Sequence, residues 1–114
     1  MQGSLLTFYV HENQRHAHRM LWEWLLEEAN KLGISGGSAF RAVAGFGRHH
    51  VLRENRFFEL GGTLTIAVEF IVSAQEQEAL MRLLQGQGVR LFYACVPATF
   101  GVINPDAADA PAPP

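Results

Sequence analysis

The residues best suited to do chemistry are concentrated in one stretch of the chain, residues 43–62. A turn, Gly45-Phe46-Gly47, is followed by side chains suited to anion binding or proton transfer, namely Arg48, His49, His50, Arg53 and Arg56. Glycine allows the backbone to take positive φ and lets another group approach closely, and a guanidinium binds phosphate or carboxylate through paired hydrogen bonds. The stretch therefore predicts a loop that captures an anion or contacts a partner protein; the alternative interpretation is a solvated polar loop.

The histidines raise the hypothesis of a metal site. They are His11, His16, His18, His49 and His50. Two histidines two residues apart on a helix point to different sides, and two adjacent ones on a strand point in opposite directions. No pair has the i,i+4 spacing typical of a zinc site, and the single cysteine, Cys95, falls in a predicted strand. We expect no metal site within one chain, while a site shared between subunits through His11 or His49, or a pH-sensing role, stays open.

No catalytic motif is recognisable in the chain. There is no Ser-His-Asp order, no nucleophile elbow and no Walker lysine, so we do not expect an enzyme. Cys95 alternates with apolar residues and is expected to pack as a small apolar side chain. A single cysteine excludes an internal disulfide and fits a reducing compartment. Trp22 and Trp24 are expected in a core or an interface.

Length and composition place the chain among small soluble domains. It has 114 residues, 48% of them hydrophobic and 18% charged, which fits one ordered domain. A net charge of −2 argues against nucleic acid as a partner. The apolar runs are too short for a membrane span, and the first residues carry no export signal. We expect a cytoplasmic protein with its folded domain at residues 1–103 and a flexible Ala/Pro-rich tail at 104–114.

Hydrophobic periodicity predicts the elements that must position these residues. Alternation of apolar and polar residues predicts strands at 5–10, 38–46, 63–72 and 89–96. Spacing of three and four predicts one helix over 16–32 and another from about 74 to 85. The apolar face of the first helix is Ala17, Met20, Leu21, Trp24, Leu25, Ala29 and Leu32, and that of the second is Ala79, Leu80, Leu83 and Leu84. Gly33 is predicted to end the first helix in the left-handed conformation, and Ser73 with Glu76 to form a capping box for the second.

The order strand-helix-strand-loop-strand-helix-strand predicts an α+β, ferredoxin-like βαββαβ fold. Its four-stranded antiparallel sheet carries both helices on one face. The residues expected on the other face are Leu5, Tyr9, Val43, Ala67 and Ile71. That face is too apolar for open water, so we expect another subunit to cover it. Glu69 lies on it among apolar neighbours and would need a partner in a cleft or across a subunit boundary.

The sequence resembles the PII signalling superfamily. Residues 42–49, Ala-Val-Ala-Gly-Phe-Gly-Arg-His, are similar to the Gly-Phe-Gly-Arg-Gln stretch of nitrogen regulatory PII proteins. The nearer resemblance is to a PII-like group known as domain of unknown function 190. Its pattern is seen at residues 9–12, 32–37, 45–47 and 68–73, and the resemblance covers about residues 5–96.

The resemblance implies a ferredoxin-like protomer that forms a homotrimer, with its sheets packed together at the centre. It implies that an effector, in PII proteins an adenine nucleotide, binds in clefts between subunits, and that the loop at 47–61 signals to a target such as an enzyme or a membrane transporter. The effector-binding residues it implies are Gly45, Phe46, Gly47, Arg48, His49, Glu69 and Arg90. The loop residues it implies for partner contact are His50, Arg53 and Arg56.

Individual positions carry over with two departures. Gly45 and Gly47 match the turn that lines the cleft, Arg48 an arginine on nucleotide phosphate, and His49 a glutamine that helps bind metal and oxo-acid. The connector at 85–90 differs from the Gly-, Asp- and Lys-rich phosphate loop of PII proteins and offers Arg90 as its cation. The loop at 48–59 contains no tyrosine for PII-style modification.

A second hypothesis keeps the fold and changes the class of protein. The chain would then be a metal-binding protein or a small ferredoxin-like enzyme, comparable to divalent-cation-tolerance proteins or dimeric monooxygenases, with the histidines and the sheet face as its pocket. Bound metal or a dimer would favour this alternative. The sequence leans against it, because no paired carboxylates and no His-His-carboxylate set share one predicted face.

Overall fold

The computed structural model describes residues 1–46 and 64–109, together with the backbone of residues 53–54. The strands in these ranges are β1 (Gln2–His11), β2 (Arg15–His16), β3 (Arg19–Met20), β4 (Gly37–Arg41), β5 (Ala44–Gly45), β6 (Arg53–Glu54), β7 (Thr65–Val72) and β8 (Phe92–Thr99). The helices are α1 (Leu21–Lys31) and α2 (Ala74–Gln85).

The main sheet of the described residues has four strands in the order β4-β7-β1-β8. Every neighbouring pair is antiparallel, with Tyr9 of β1 opposite Ala67 of β7 on one side and Phe92 of β8 on the other. The strand order and the two helices confirm the predicted α+β, ferredoxin-like fold.

The core lies between the sheet and the two helices. On β1, the alternate residues Leu6, Phe8 and Val10 are buried, and on β7 the buried positions include Val68 and Phe70. The rings of Phe8 and Phe70 meet edge to face at 6.2 Å. The helices contribute Leu21, Trp24, Leu25, Ala29, Leu80 and Leu84. Each large apolar side chain buried in this way contributes roughly 1.5–3 kcal/mol, and the predicted inward faces of the first and third strands are confirmed.

The first helix is shorter than predicted. It begins at Leu21, and residues 15–20 form the β2–β3 hairpin, in which His16 pairs with Arg19. Ala17 and His18 form its turn with φ values of 51° and 65°, the geometry of a two-residue type I′ hairpin. The prediction of a helix over 16–32 was therefore wrong at its start, and Ala17 is exposed rather than on the apolar face. The end is confirmed, since Gly33 has φ +85°.

The second and fourth strands also differ from their predicted bounds. The predicted strand at 38–46 breaks after Arg41, and Ala44–Gly45 pairs with Arg53–Glu54 instead. Val43, predicted on the open sheet face, lies in a bend between the two pieces and is 76% exposed. The last strand starts at Phe92 rather than residue 89, because pairing with β1 runs from Phe92 to Thr99.

The second helix begins as predicted. The Glu76 N–H donates to Ser73 Oγ at 3.1 Å, and the Ser73 N–H donates to Glu76 Oε1 at 2.8 Å, a complete capping box. Leu80 and Leu84 are buried, but Ala79, predicted on the apolar face, is exposed. Cys95 was expected to pack as an apolar residue; it is exposed on the edge strand, where Gln77 Nε2 donates to its Sγ at 3.3 Å.

Candidate functional site

The antiparallel register collects several chain segments at one end of the main sheet. β1 and β4 end there, and β7 and β8 begin there, since Arg41 lies opposite Ile66 and Phe92 opposite Tyr9. Two backbone hydrogen bonds, both of 2.8 Å, extend the pairing. They run from the Glu12 N–H to the Leu64 carbonyl and from the Ala42 N–H to the Thr65 carbonyl. The chain is thus fixed by sheet hydrogen bonds on both sides of residues 47–63.

A bidentate ion pair joins β4 to the residue after β1 at this end. Arg41 Nε lies 2.6 Å from Glu12 Oε2, and Arg41 Nη2 lies 3.1 Å from Glu12 Oε1. The Glu12 side chain is 15% exposed and that of Arg41 is 47% exposed. Paired, charge-assisted hydrogen bonds of this kind hold both side chains in a defined orientation. Sequence reasoning missed the pair: Glu12 falls in a motif of the resemblance, but nothing local indicates Arg41, 29 residues later.

The Gly-Phe-Gly turn starts at the same end. Gly45 in β5 pairs with Arg53 in β6, so the chain on either side of residues 46–52 is brought together. Phe46 follows with 67% of its surface exposed. The predicted site residues that lie outside the described ranges are Gly47, Arg48, His49, His50 and Arg56.

Arg90 and Glu69 lie apart from this turn. Arg90 is exposed in the α2–β8 connector, two residues before β8 starts at the same end of the sheet. However, β8 and β4 are opposite edges of the sheet, three strand spacings or about 14 Å apart. Glu69 is half-buried on the open face between Thr7 and Ser38, about 13 Å along β7 from Thr65. One chain therefore does not bring the described site residues into one cluster.

The open face of the sheet is apolar, as predicted. Leu5 and Ala67 are half-buried on it, and Tyr9 and Ile71 are 42% and 48% exposed. The register adds three residues that the sequence analysis did not assign to this face, and these are Phe40, Phe92 and Val96, at 55%, 72% and 53% exposure. The rings of Tyr9 and Phe92 lie 5.8 Å apart. Together these side chains form an exposed apolar patch of the kind that marks an interaction surface.

Across residues 1–46 and 64–109, no three His, Cys, Asp or Glu side chains come together in a group that could hold a metal ion. His16 and His18, predicted on a helix, lie instead in the β2–β3 hairpin. Within the same ranges, neither helix has the length and apolar character needed to cross a membrane.

Comparison with known proteins agrees with this architecture. A PII-like signalling protein, provisionally described as such, from Thermus thermophilus has a similar crystal structure, with a TM-score of 0.57, 20% identity, and coverage of 85% of this chain and 86% of that one. The fold is thus that of PII-like proteins. The family model DUF190, described as "Uncharacterized ACR", matches residues 3–88. A "UPF0166 protein" of Aquifex aeolicus (strain VF5) is 32% identical over 85 residues, 75% of this chain and 78% of the relative. The chain belongs to the DUF190 family, as its motifs indicated.

Proposed function

We propose that this chain is a PII-like regulatory protein that binds a small anionic effector in clefts between subunits and signals through residues 47–61 to a partner protein. It would act as a non-enzymatic sensor in the cytoplasm, assembled as a homotrimer. The observation that carries the proposal is the exposed apolar patch on the open sheet face, centred on Tyr9, Ile71 and Phe92. A sheet face of this character favours burial against other copies of the chain.

The placement of the site residues supports a cleft between subunits. Gly45 and Arg90 belong to opposite edges of one sheet, about 14 Å apart within a chain. When sheets pack side by side around an axis, one edge of each protomer comes next to the other edge of its neighbour. The turn at Gly45 and Phe46 from one chain and Arg90 from the next could then line one crevice.

The chemistry of the residues favours an anionic effector. Arg48 and Arg90 supply guanidinium groups, which pair with phosphate and carboxylate. An adenine nucleotide is the effector that the family resemblance suggests, with no further cofactor. The target suggested in the same way is an enzyme or a membrane transporter that residues His50, Arg53 and Arg56 would contact.

A ligand screen with matched variants tests the proposal. We expect ATP, ADP or another small anion at millimolar concentration to raise the melting temperature of the wild-type protein. Arg48→Gln and Arg90→Gln should lose most of this increase, whereas Arg82→Gln should keep it, because Arg82 lies on α2 in an ion pair with Glu78. If no anionic metabolite shifts the melting temperature, or if all three variants respond alike, the effector assignment fails.

A further inference from the structure

The β2–β3 hairpin contacts a part of the chain far from it in sequence. His16 Nε2 lies 3.1 Å from Gln87 Oε1, across 71 residues. With Nε2 as donor, this is an N–H···O hydrogen bond of ordinary length. The His16 ring also packs edge to face on Trp24 of α1, with 4.5 Å between the ring centroids. His16 therefore connects the first helix with the segment that follows the second.

The hairpin is itself fixed to α1. Arg19 forms an ion pair with Glu27, and the Leu21 N–H donates to the Gln14 carbonyl at 2.7 Å. Trp24, against which the imidazole rests, is only 6% exposed. A ring held on a buried tryptophan by a tethered hairpin has little freedom to move, so His16 presents Nε2 from a defined position.

Gln87 stands at the start of the connector at residues 86–91. Its N–H donates to the Leu84 carbonyl at 3.1 Å, and Gly88 follows with φ +69°. Val89 and Leu91 pack against the core, while Arg90 between them is exposed. The connector is thus held by apolar contacts next to Arg90 and by the His16 hydrogen bond three residues before it.

We propose that His16 is a positioning residue for this connector: through Gln87 it restricts the conformations of residues 86–91 and so sets the direction in which Arg90 meets an anion. This inference rests on the proposed function, which gives Arg90 an effector to bind.

Hydrogen exchange on the full ligand-free chain tests the positioning claim. In His16→Phe, which keeps an aromatic ring for Trp24 but has no donor, amides of residues 86–91 should exchange about threefold to tenfold faster. His16→Gln, which can still donate, should restore most of the protection, and His18→Asn in the exposed turn should leave it unchanged. Residues 74–84 of α2 serve as the internal control. Unchanged exchange at 86–91 in His16→Phe, or equal acceleration throughout α2, overturns the proposal.

Titration with ATP separates this inference from the proposed function. We expect His16→Phe to weaken ATP binding by about threefold to tenfold, with His16→Gln close to the wild type. If the wild type does not bind ATP, the nucleotide assignment fails and hydrogen exchange alone decides the positioning claim. If the wild type binds and His16→Phe loosens the connector without changing affinity, the link from His16 to the effector is overturned.

Discussion

At the scale of the residue, Gly37 is a position where a side chain has no room. A Cβ there would lie 2.5 and 2.6 Å from two ring carbons of Phe70 and 3.1 Å from Leu26. Phe70 is 2% exposed and its ring cannot turn away freely. Both residues also line a groove of about 330 Å³ beside the end of α1. Gly36, next to it, has open space where a Cβ would be.

We expect Gly37→Ala to lower the free energy of unfolding by about 1–3 kcal/mol, the usual cost of overpacking a core. Gly36→Ala is the matched control and should change it by no more than about 0.5 kcal/mol. Urea denaturation of both variants measures the difference. Equal effects of the two substitutions would show that Phe70 relaxes without cost.

The Glu12–Arg41 ion pair gives a second prediction at this scale. Because the Glu12 carboxylate is only 15% exposed, Arg41→Gln leaves it with a neutral partner and should lower the free energy of unfolding by about 1 kcal/mol. The control is Arg82→Gln, whose i,i+4 pair with Glu78 is largely exposed and should be worth less than about 0.5 kcal/mol. Chemical denaturation at low and high salt compares them, and a larger loss in the control contradicts the account.

At the scale of the element, the β2–β3 hairpin depends on two residues with positive φ, Ala17 and His18. Alanine in that region carries a steric cost that glycine avoids. We expect Ala17→Gly to raise the free energy of unfolding by about 0.5–1 kcal/mol despite the greater freedom of the unfolded chain. Ala79→Gly, in the exposed face of α2, should lower it by about 1 kcal/mol. Thermal or urea unfolding of the pair checks the opposite signs.

The elements also show which parts of the fold could be predicted from the sequence. The capping box at Ser73 and Glu76 and the glycine at position 33 depend on a few neighbouring residues, so local patterns identify them. The alternation of buried residues along β1 and β7 is equally local. The hairpin could not be predicted, because neither Ala17 nor His18 signals positive φ and the spacing of Ala17 and Met20 imitates a helix.

Long-range pairing determines what the sequence could not indicate. The start of β8 at Phe92 follows from its register on β1, and nothing in residues 89–91 marks them as outside the strand. The Glu12–Arg41 and His16–Gln87 contacts join segments far apart in the chain. The Gly-Phe-Gly turn and Arg90 were identified through the family resemblance, and their roles remain predictions.

At the scale of the whole molecule, the open sheet face is expected to hold the assembly together. Ile71 lies on that face and is 48% exposed, whereas Val102 lies beyond β8 and is 77% exposed. We expect Ile71→Lys to place a charge in the interface and to dissociate the assembly into single chains. Val102→Lys should leave the assembly intact. Sedimentation velocity of both variants checks this, and an unchanged sedimentation coefficient for Ile71→Lys contradicts the interface assignment.

The most direct test of the central claim is the native mass of the wild-type protein, measured by light scattering over a range of dilutions. If sister copies bury the apolar sheet face and create the effector clefts, the mass should be about three times the 12.6 kDa of one chain. A mass of 12.6 kDa at every concentration would mean that the face is open to water, and the proposed clefts would not exist.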